Sequence, residues 1–381
     1  MNWNRTVQAL DALMAAGVPG ILWGPPGVGK SATVRALARA RGREVVTLIG
    51  STIDPTDIGG IPVPREGGRG VYLALPPWAE PIAEANQAGK KDPVLFADEL
   101  VESPPSVAAA LYELILNGRV AGRILRTYRV AASNPEEISA TQTPLPPAMA
   151  NRLVHLEFEA DHGRIVQGFR EGFDVGIEEA LAPEPRPEVL EAKTREVMAL
   201  LAVFLERNPG VLMSFPKDPV LQGRAWPSPR SWEMAAKGVA AALAMGYGQE
   251  VAALIAQGAV GGAGLEFVHF LREMDLPAPE EVLSNPRALP ERDDRAHATL
   301  MSVVRYALED LEARWEAVWR VLRYAAEERE QGDLAAKAAG VLIQGFNRAL
   351  EERRVSALPL SREVLGPRLI EIGAKARLAR A

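Results

Sequence analysis

Residues 24–31, Gly-Pro-Pro-Gly-Val-Gly-Lys-Ser, constrain this chain more than any other stretch. They match the pattern G-x-x-x-x-G-K-[ST], and the flanks supply what that pattern needs. Ile21, Leu22 and Trp23 form a short apolar run that predicts a buried strand. After the loop, Val34, Leu37 and Ala38 recur on one helical face. A glycine-rich loop between strand and helix curls backbone N–H groups around phosphates, and the helix N-terminus adds partial positive charge there. On this reading Gly24, Pro25, Pro26, Gly27, Val28, Gly29, Lys30, Ser31 and Ala32 hold a nucleotide, ATP. Lys30 reaches its β- and γ-phosphates and Ser31 holds Mg2+.

A second signature follows at residues 92–99, Asp-Pro-Val-Leu-Phe-Ala-Asp-Glu, an apolar strand closed by two carboxylates. Asp98 would order the Mg2+ shell through water, and Glu99 would polarise the water that attacks the γ-phosphate. The pattern is common alone and gains meaning from the loop upstream. Residues 126–132 predict a further strand ending in Ser133-Asn134-Pro135. Asn134 taken alone is a turn initiator, although such a strand can bring its amide to the same sheet edge. Arg152, just before a strand at 153–158, reads alone as a solvated residue. Ser228 and Pro229 open a helix as N-cap and first residue. Arg230 then sits in the first turn, where the helix dipole disfavours a cation by roughly a few tenths of a kcal/mol. That placement is easier to understand if Arg230 faces an anion.

Around these motifs the pattern predicts helices at 7–16, 81–87 and 104–116, a strand at 44–49 and a loop at 54–60. Residues 61–64 and 70–74 flank Arg-Glu-Gly-Gly-Arg and suggest a hairpin, exposed because of its prolines. Residues 117–122 suggest a turn or small hairpin. Pro-Glu-Pro-Arg-Pro at 183–187 is a linker. Beyond it the pattern is helical: 189–207, then 249–256 and 265–274 around a glycine loop at 258–264. Leu300, Val304, Leu308, Leu311, Trp315, Val318 and Leu322 form one periodic run over 300–322, followed by a helix at 333–353. These two are expected to pair antiparallel. Residues 368–380 are basic.

The 381 residues suffice for two or three domains. With 43 basic and 49 acidic residues the net charge is −6, which argues against broad nucleic-acid binding while leaving room for a local basic pore. There is no Cys, hence no disulfide and no thiolate site. The four His show no metal-ligand spacing, and no Ser-His-Asp order suggests a hydrolytic triad. The first residues lack the apolar core of a signal peptide, and the apolar-rich stretch 251–265 is too short and glycine-rich to span a bilayer. A cytoplasmic protein without membrane contact is expected.

The phosphate loop, Asp98-Glu99, Asn134-Pro135, Arg152 and Arg230 together resemble the motif order of an AAA+ ATPase. In detail the chain resembles the MoxR group, through Asp-Pro-Thr-Asp-Ile-Gly-Gly at 54–60, Pro-Pro-Trp at 76–78, Ala-Ala-Ser-Asn-Pro at 131–135 and Trp-Pro-Ser-Pro-Arg at 226–230. The likeness spans roughly residues 5–275. It implies an α/β P-loop NTPase fold, a three-layer parallel sheet, followed by an all-α lid and C-terminal helices. The corresponding division is 1–185 for the nucleotide-binding domain, 186–275 for the lid and 276–381 for a helical extension. The resemblance implies a ring, usually hexameric, with Asn134 as first sensor, Arg230 as second sensor and Arg152 as an arginine finger in the neighbour's site; Arg164 is the next candidate for the finger. It further implies chaperone-like work on a protein partner, commonly one with a von Willebrand factor A domain. Residues 58–78 and 117–126 fall where this group inserts pore- or face-directed hairpins, which makes Arg69, Tyr72 and Arg123 candidates for substrate contact. A nucleic-acid translocase or helicase is the alternative, kept by Arg65, Arg69, Arg119 and Arg123. A non-catalytic nucleotide switch is disfavoured by the presence of Glu99, Asn134 and Arg152 together.

Overall fold

The computed structural model describes residues 3–65, 67–68, 70–135, 138, 144–172, 177–274, 276–352 and 354–355. Nine strands occur among them: β1 (Gly20–Trp23), β2 (Val45–Ile49), β3 (Ile61–Pro64), β4 (Val71–Ala74), β5 (Val94–Asp98), β6 (Arg119–Val120), β7 (Arg123–Ile124), β8 (Tyr128–Ser133) and β9 (Val154–Glu157). Five form one parallel sheet in the order β2-β5-β8-β1-β9. The sheet is buried on both faces, as parallel sheets are. On one side Ile21, Trp23, Leu95, Ala97 and Ala131 pack with Ile82, Leu111, Leu114 and Ile115 from the helices Glu80–Gln87 and Pro105–Asn117. The alternate residues Leu22, Phe96, Val130 and Ala132 are equally buried on the opposite face. This is the P-loop α/β fold with a helical C-terminal region.

Two compact units emerge, Met1–Lys193 with Gly210–Val268, and Thr194–Pro209 with His269–Ala381. In the first, the helices Pro229–Ala244 and Gly248–Val260 pack with the N-terminal helix Trp3–Ala15 and with β9. Arg41, at the end of the helix Lys30–Ala40, donates to Asp11 at 2.7 Å and to the Ala182 carbonyl at 2.8 Å. Tyr247 donates to Asp11 and accepts from the Ala182 N–H. That cluster ties three helical elements to the chain segment leaving the α/β layer.

The second unit has its own core. Leu300, Val303, Val304, Trp315, Trp319, Leu322 and Leu342 bury one another on the helices Asp293–Ala307, Leu311–Glu327 and Gly332–Glu351. The Trp315 and Phe346 rings lie 4.7 Å apart.

Three local features differ from the sequence reading. Residues 55–59 form a short helix, Pro55–Gly59, instead of a loop. Asp54 and Asp57 make a reciprocal capping box, and Pro55 occupies the first turn. The apolar run over 300–322 is two helices, because Asp310 caps the second through the Ala313 N–H at 3.2 Å. The expected glycine loop at 258–264 is almost wholly helical, Gly248–Val260 and Gly262–Glu273, turning at Gly261. Gly258 serves close approach: a Cβ there would stand 2.3 Å from the His155 carbonyl oxygen of β9.

The hairpins form as expected and lie outside the main sheet. β3 and β4 pair antiparallel, with Pro62 opposite Leu73 and Pro64 opposite Val71. β6 and β7 are joined by Ala121 and Gly122, both at positive φ, 47° and 74°, as a tight hairpin turn requires.

Candidate active site

The C-terminal ends of β1, β5 and β8 converge on one edge of the sheet, where parallel α/β folds bind ligands. Gly29 has φ 100° and lets the chain turn into the helix that starts at Lys30. No side chain caps that helix, so its first-turn N–H groups face the loop, as an anion site requires.

Lys30 is only 8% exposed. Its ammonium donates to the Gly24 carbonyl at 2.5 Å, the Pro25 carbonyl at 3.1 Å and Asn134 Oδ1 at 3.1 Å. Burial lowers its pKa, while Asp98, Glu102 and Glu99 oppose the shift. A lysine held by weak neutral acceptors amid carboxylates suits an incoming phosphate. Ser31 Oγ donates to Asp98 Oδ2 at 2.5 Å. Mg2+ is typically held by one or two protein oxygens, with phosphate oxygens and waters completing the octahedron. A hydroxyl and a carboxylate oxygen side by side at the mouth of the phosphate loop fit that need.

Glu99 has left-handed backbone, φ 55°, unusual for a residue with a side chain. Its carboxylate accepts from Ser51 Oγ, and its N–H donates to Asp98 Oδ1 at 3.1 Å. Asn134 Oδ1 meets Lys30, and the Asn134 N–H donates to Glu102 Oε1 at 3.1 Å. Glu102 Oε2 also accepts from Ser133 Oγ at 3.0 Å.

Glu102 and Ser51 were not legible beforehand; neither belongs to a local pattern, and each is defined by partners distant in the chain. His155 is a third such residue. It is buried against Trp23, whose Nε1 donates to His155 Nδ1 at 2.9 Å. Arg224 covers the Trp23 ring at 4.2 Å and pairs with Glu157 at 3.3 Å.

The remaining candidates lie on other elements. Arg152 follows the helix Pro147–Ala150 and donates to the Ala148 carbonyl at 3.1 Å. Arg230 is exposed in the first turn of Pro229–Ala244, after the N-cap Ser228. Arg164 lies 3.9 Å over the Trp3 ring, lining a cavity of about 180 Å³ with Gly27, Val28 and Gly29. It therefore stands beside the loop of its own chain. Tyr72 and Arg123 are exposed on β4 and β7; Arg69 lies outside the described residues.

Residues 20–113 match the family model described as ATPase family associated with various cellular activities (AAA). The matched stretch contains the phosphate loop, Asp98 and Glu99, while Asn134, Arg152 and Arg230 lie beyond it. Among solved structures, the chain is similar to a candidate ATPase from Cytophaga hutchinsonii, with 16% identity, a TM-score of 0.43, and 71% of this chain and 88% of that one covered. It is also similar to a full-length MCM homologue from Methanopyrus kandleri, with 18% identity, a TM-score of 0.33, and coverage of 67% of this chain. The alignment takes in 55% of the MCM homologue. No described helix is long and apolar enough to cross a membrane.

Proposed function

We propose that this chain is an ATP-hydrolysing AAA+ ring ATPase of the MoxR kind that remodels, assembles or activates a protein partner. The observation that carries the proposal is the joint placement of Lys30 on Asn134 and of Ser31 on Asp98 at the mouth of the phosphate loop. Glu99 is the base that polarises the attacking water, Asn134 orients that water or the γ-phosphate, and Ser31 and Asp98 hold Mg2+, which neutralises phosphate charge when bound. Arg230 is the lid's contribution to the same site. Arg152, solvent-accessible on its turn, is supplied to the neighbouring subunit. Hexameric assembly, a partner with a von Willebrand factor A domain and a cytoplasmic setting rest on the family resemblance. So does the division into 1–185, 186–275 and 276–381.

A nucleic-acid motor is the second reading, favoured by Arg119 and Arg123, both exposed on the β6–β7 hairpin. One experiment separates the two. Glu99→Gln, loaded with ATP, is captured from lysate before and after nuclease treatment. A nuclease-resistant protein partner supports the first reading; nucleic acid released by salt supports the second. Failure of the unaltered chain to release phosphate from ATP would sink both.

A further inference from the structure

Asn151 is only 4% exposed, although it precedes a solvent-accessible arginine. Both ends of its amide reach a distant turn. Nδ2 donates to the Trp226 carbonyl at 3.0 Å, and Oδ1 accepts from Ser228 Oγ at 2.6 Å. Ser228 is the N-cap of the helix that displays Arg230. Thus the residue beside Arg152 grips the residue two before Arg230.

Helix capping does not account for this grip. The Ser228 oxygen already accepts from the Ser231 N–H at 3.2 Å, and Ser231 Oγ accepts from the Ser228 N–H at 2.8 Å. The capping box leaves the Ser228 hydroxyl proton over, and it goes to Asn151. What this bond adds is a fixed spacing between two turns.

The same turn is tied to the phosphate loop. The indole N–H of Trp23 can only donate, so His155 Nδ1 is an acceptor and the imidazole proton sits on Nε2. That proton is donated to the Ala150 carbonyl at 2.9 Å. Trp23 immediately precedes Gly24, and Ala150 immediately precedes Asn151. A continuous path of hydrogen bonds and peptide links therefore runs from the base of the phosphate loop to the mounts of both arginines, all inside one compact unit.

We propose that Asn151 is a positioning residue that holds the mounts of Arg152 and Arg230 in one register. Engagement of Arg230 by a nucleotide in one site is thereby passed to the arginine the same subunit presents to its neighbour. The inference rests on the reading of Arg152 as acting in trans and Arg230 as acting in cis.

The test uses the full-length chain with Asn151→Ala, Ser228→Gly, Ser228→Thr and Arg152→Ala. Glycine keeps the N-cap nearly intact and removes the hydroxyl; threonine keeps both. Turnover is measured across ATP concentrations, giving kcat, KM and the Hill coefficient, alongside affinity for a fluorescent ATP analogue and the melting curve. Asn151→Ala and Ser228→Gly are expected to bind nucleotide within about twofold of the unaltered chain. Their kcat should fall by on the order of 10- to 100-fold, the scale of a misplaced catalytic group. Their Hill coefficient should drop to one from a value above one, and Ser228→Thr should behave as the unaltered chain.

Normal kcat and cooperativity in a folded Asn151→Ala would overturn the inference if Arg152→Ala is inactive. Normal turnover in Arg152→Ala would instead remove the trans reading, and this inference with it. Should Asn151→Ala fail to fold, the serine pair decides. Equal turnover in Ser228→Gly and Ser228→Thr overturns the proposal.

Discussion

Lys30 and Asn134, 104 residues apart in the chain, meet at 3.1 Å. The contact joins the phosphate loop to the end of β8 and holds the ammonium where a phosphate would compete for it. An ammonium–phosphate contact is charge-assisted and strong, so Lys30→Ala should weaken ATP binding by on the order of 100-fold or more, roughly 2.7 kcal/mol. Calorimetric titration of nucleotide measures this. Unchanged affinity would contradict the placement of the loop.

Glu99 lies beside Asp98 and is turned towards Ser51 in the described conformation. Glu99→Gln keeps the shape and removes the base. ATP affinity should survive within a few-fold, while turnover falls by about 10²- to 10⁴-fold, the range for general bases. Single-turnover phosphate release with matched binding data checks both halves. Near-normal turnover would exclude Glu99 from the chemistry.

Arg152 makes its described hydrogen bond within its own turn. If it completes a neighbour's site, Arg152→Ala should lower turnover by about 10³- to 10⁵-fold, as loss of an arginine finger does. Mixing Arg152→Ala subunits with Lys30→Ala subunits should restore part of the activity, since each supplies what the other lacks. Two inactive parents that stay inactive at every mixing ratio would count against action in trans.

Burial pushes the His155 imidazole down to about 4 from its usual 6.5. Between those values the unfolded chain takes up a proton that the folded chain refuses. This contribution to stability is therefore complete above about pH 6.5 and is lost as the pH falls towards 4. Its ceiling is about 3 kcal/mol. Melting curves from pH 7 to 4.5 should show a steeper loss for the unaltered chain than for His155→Gln. Parallel curves would show that His155 does not carry that dependence.

A methyl group at residue 258 has no room beside the His155 carbonyl. Gly258→Ala should cost about 1–3 kcal/mol, as overpacked cores do. Urea unfolding measures the loss. A neutral result would mean that the helix Gly248–Val260 can move off β9 freely.

Much of this molecule was legible where the signal is local. The phosphate loop, the apolar strand before Asp98 and the Ser228-Pro229 helix start each occupy a few consecutive residues, and each forms in place. The misread segments share a different cause. Gly258 looked like a loop residue because glycine serves close approach as well as turning. The apolar run across Leu308 kept its spacing through a break set by one carboxylate, Asp310. Asp54 and Asp57 held a capping signal that the surrounding Pro and Gly obscured. Glu102, Ser51, His155 and Asn151 carried no pattern, because each is defined by a partner far away in the chain.

The β3–β4 ribbon has a further consequence. The Arg65 N–H points inward to the Gly70 carbonyl, so the alternating positions 62 and 64 point outward. Both are proline, and the free side of β3 therefore presents no N–H from either. Edge-to-edge polymerisation needs two competent edges on every unit, one to receive and one to pass on. With both of these donors missing, the β3 edge is a poor template for a further strand, which guards the ribbon against edge-to-edge growth through that side.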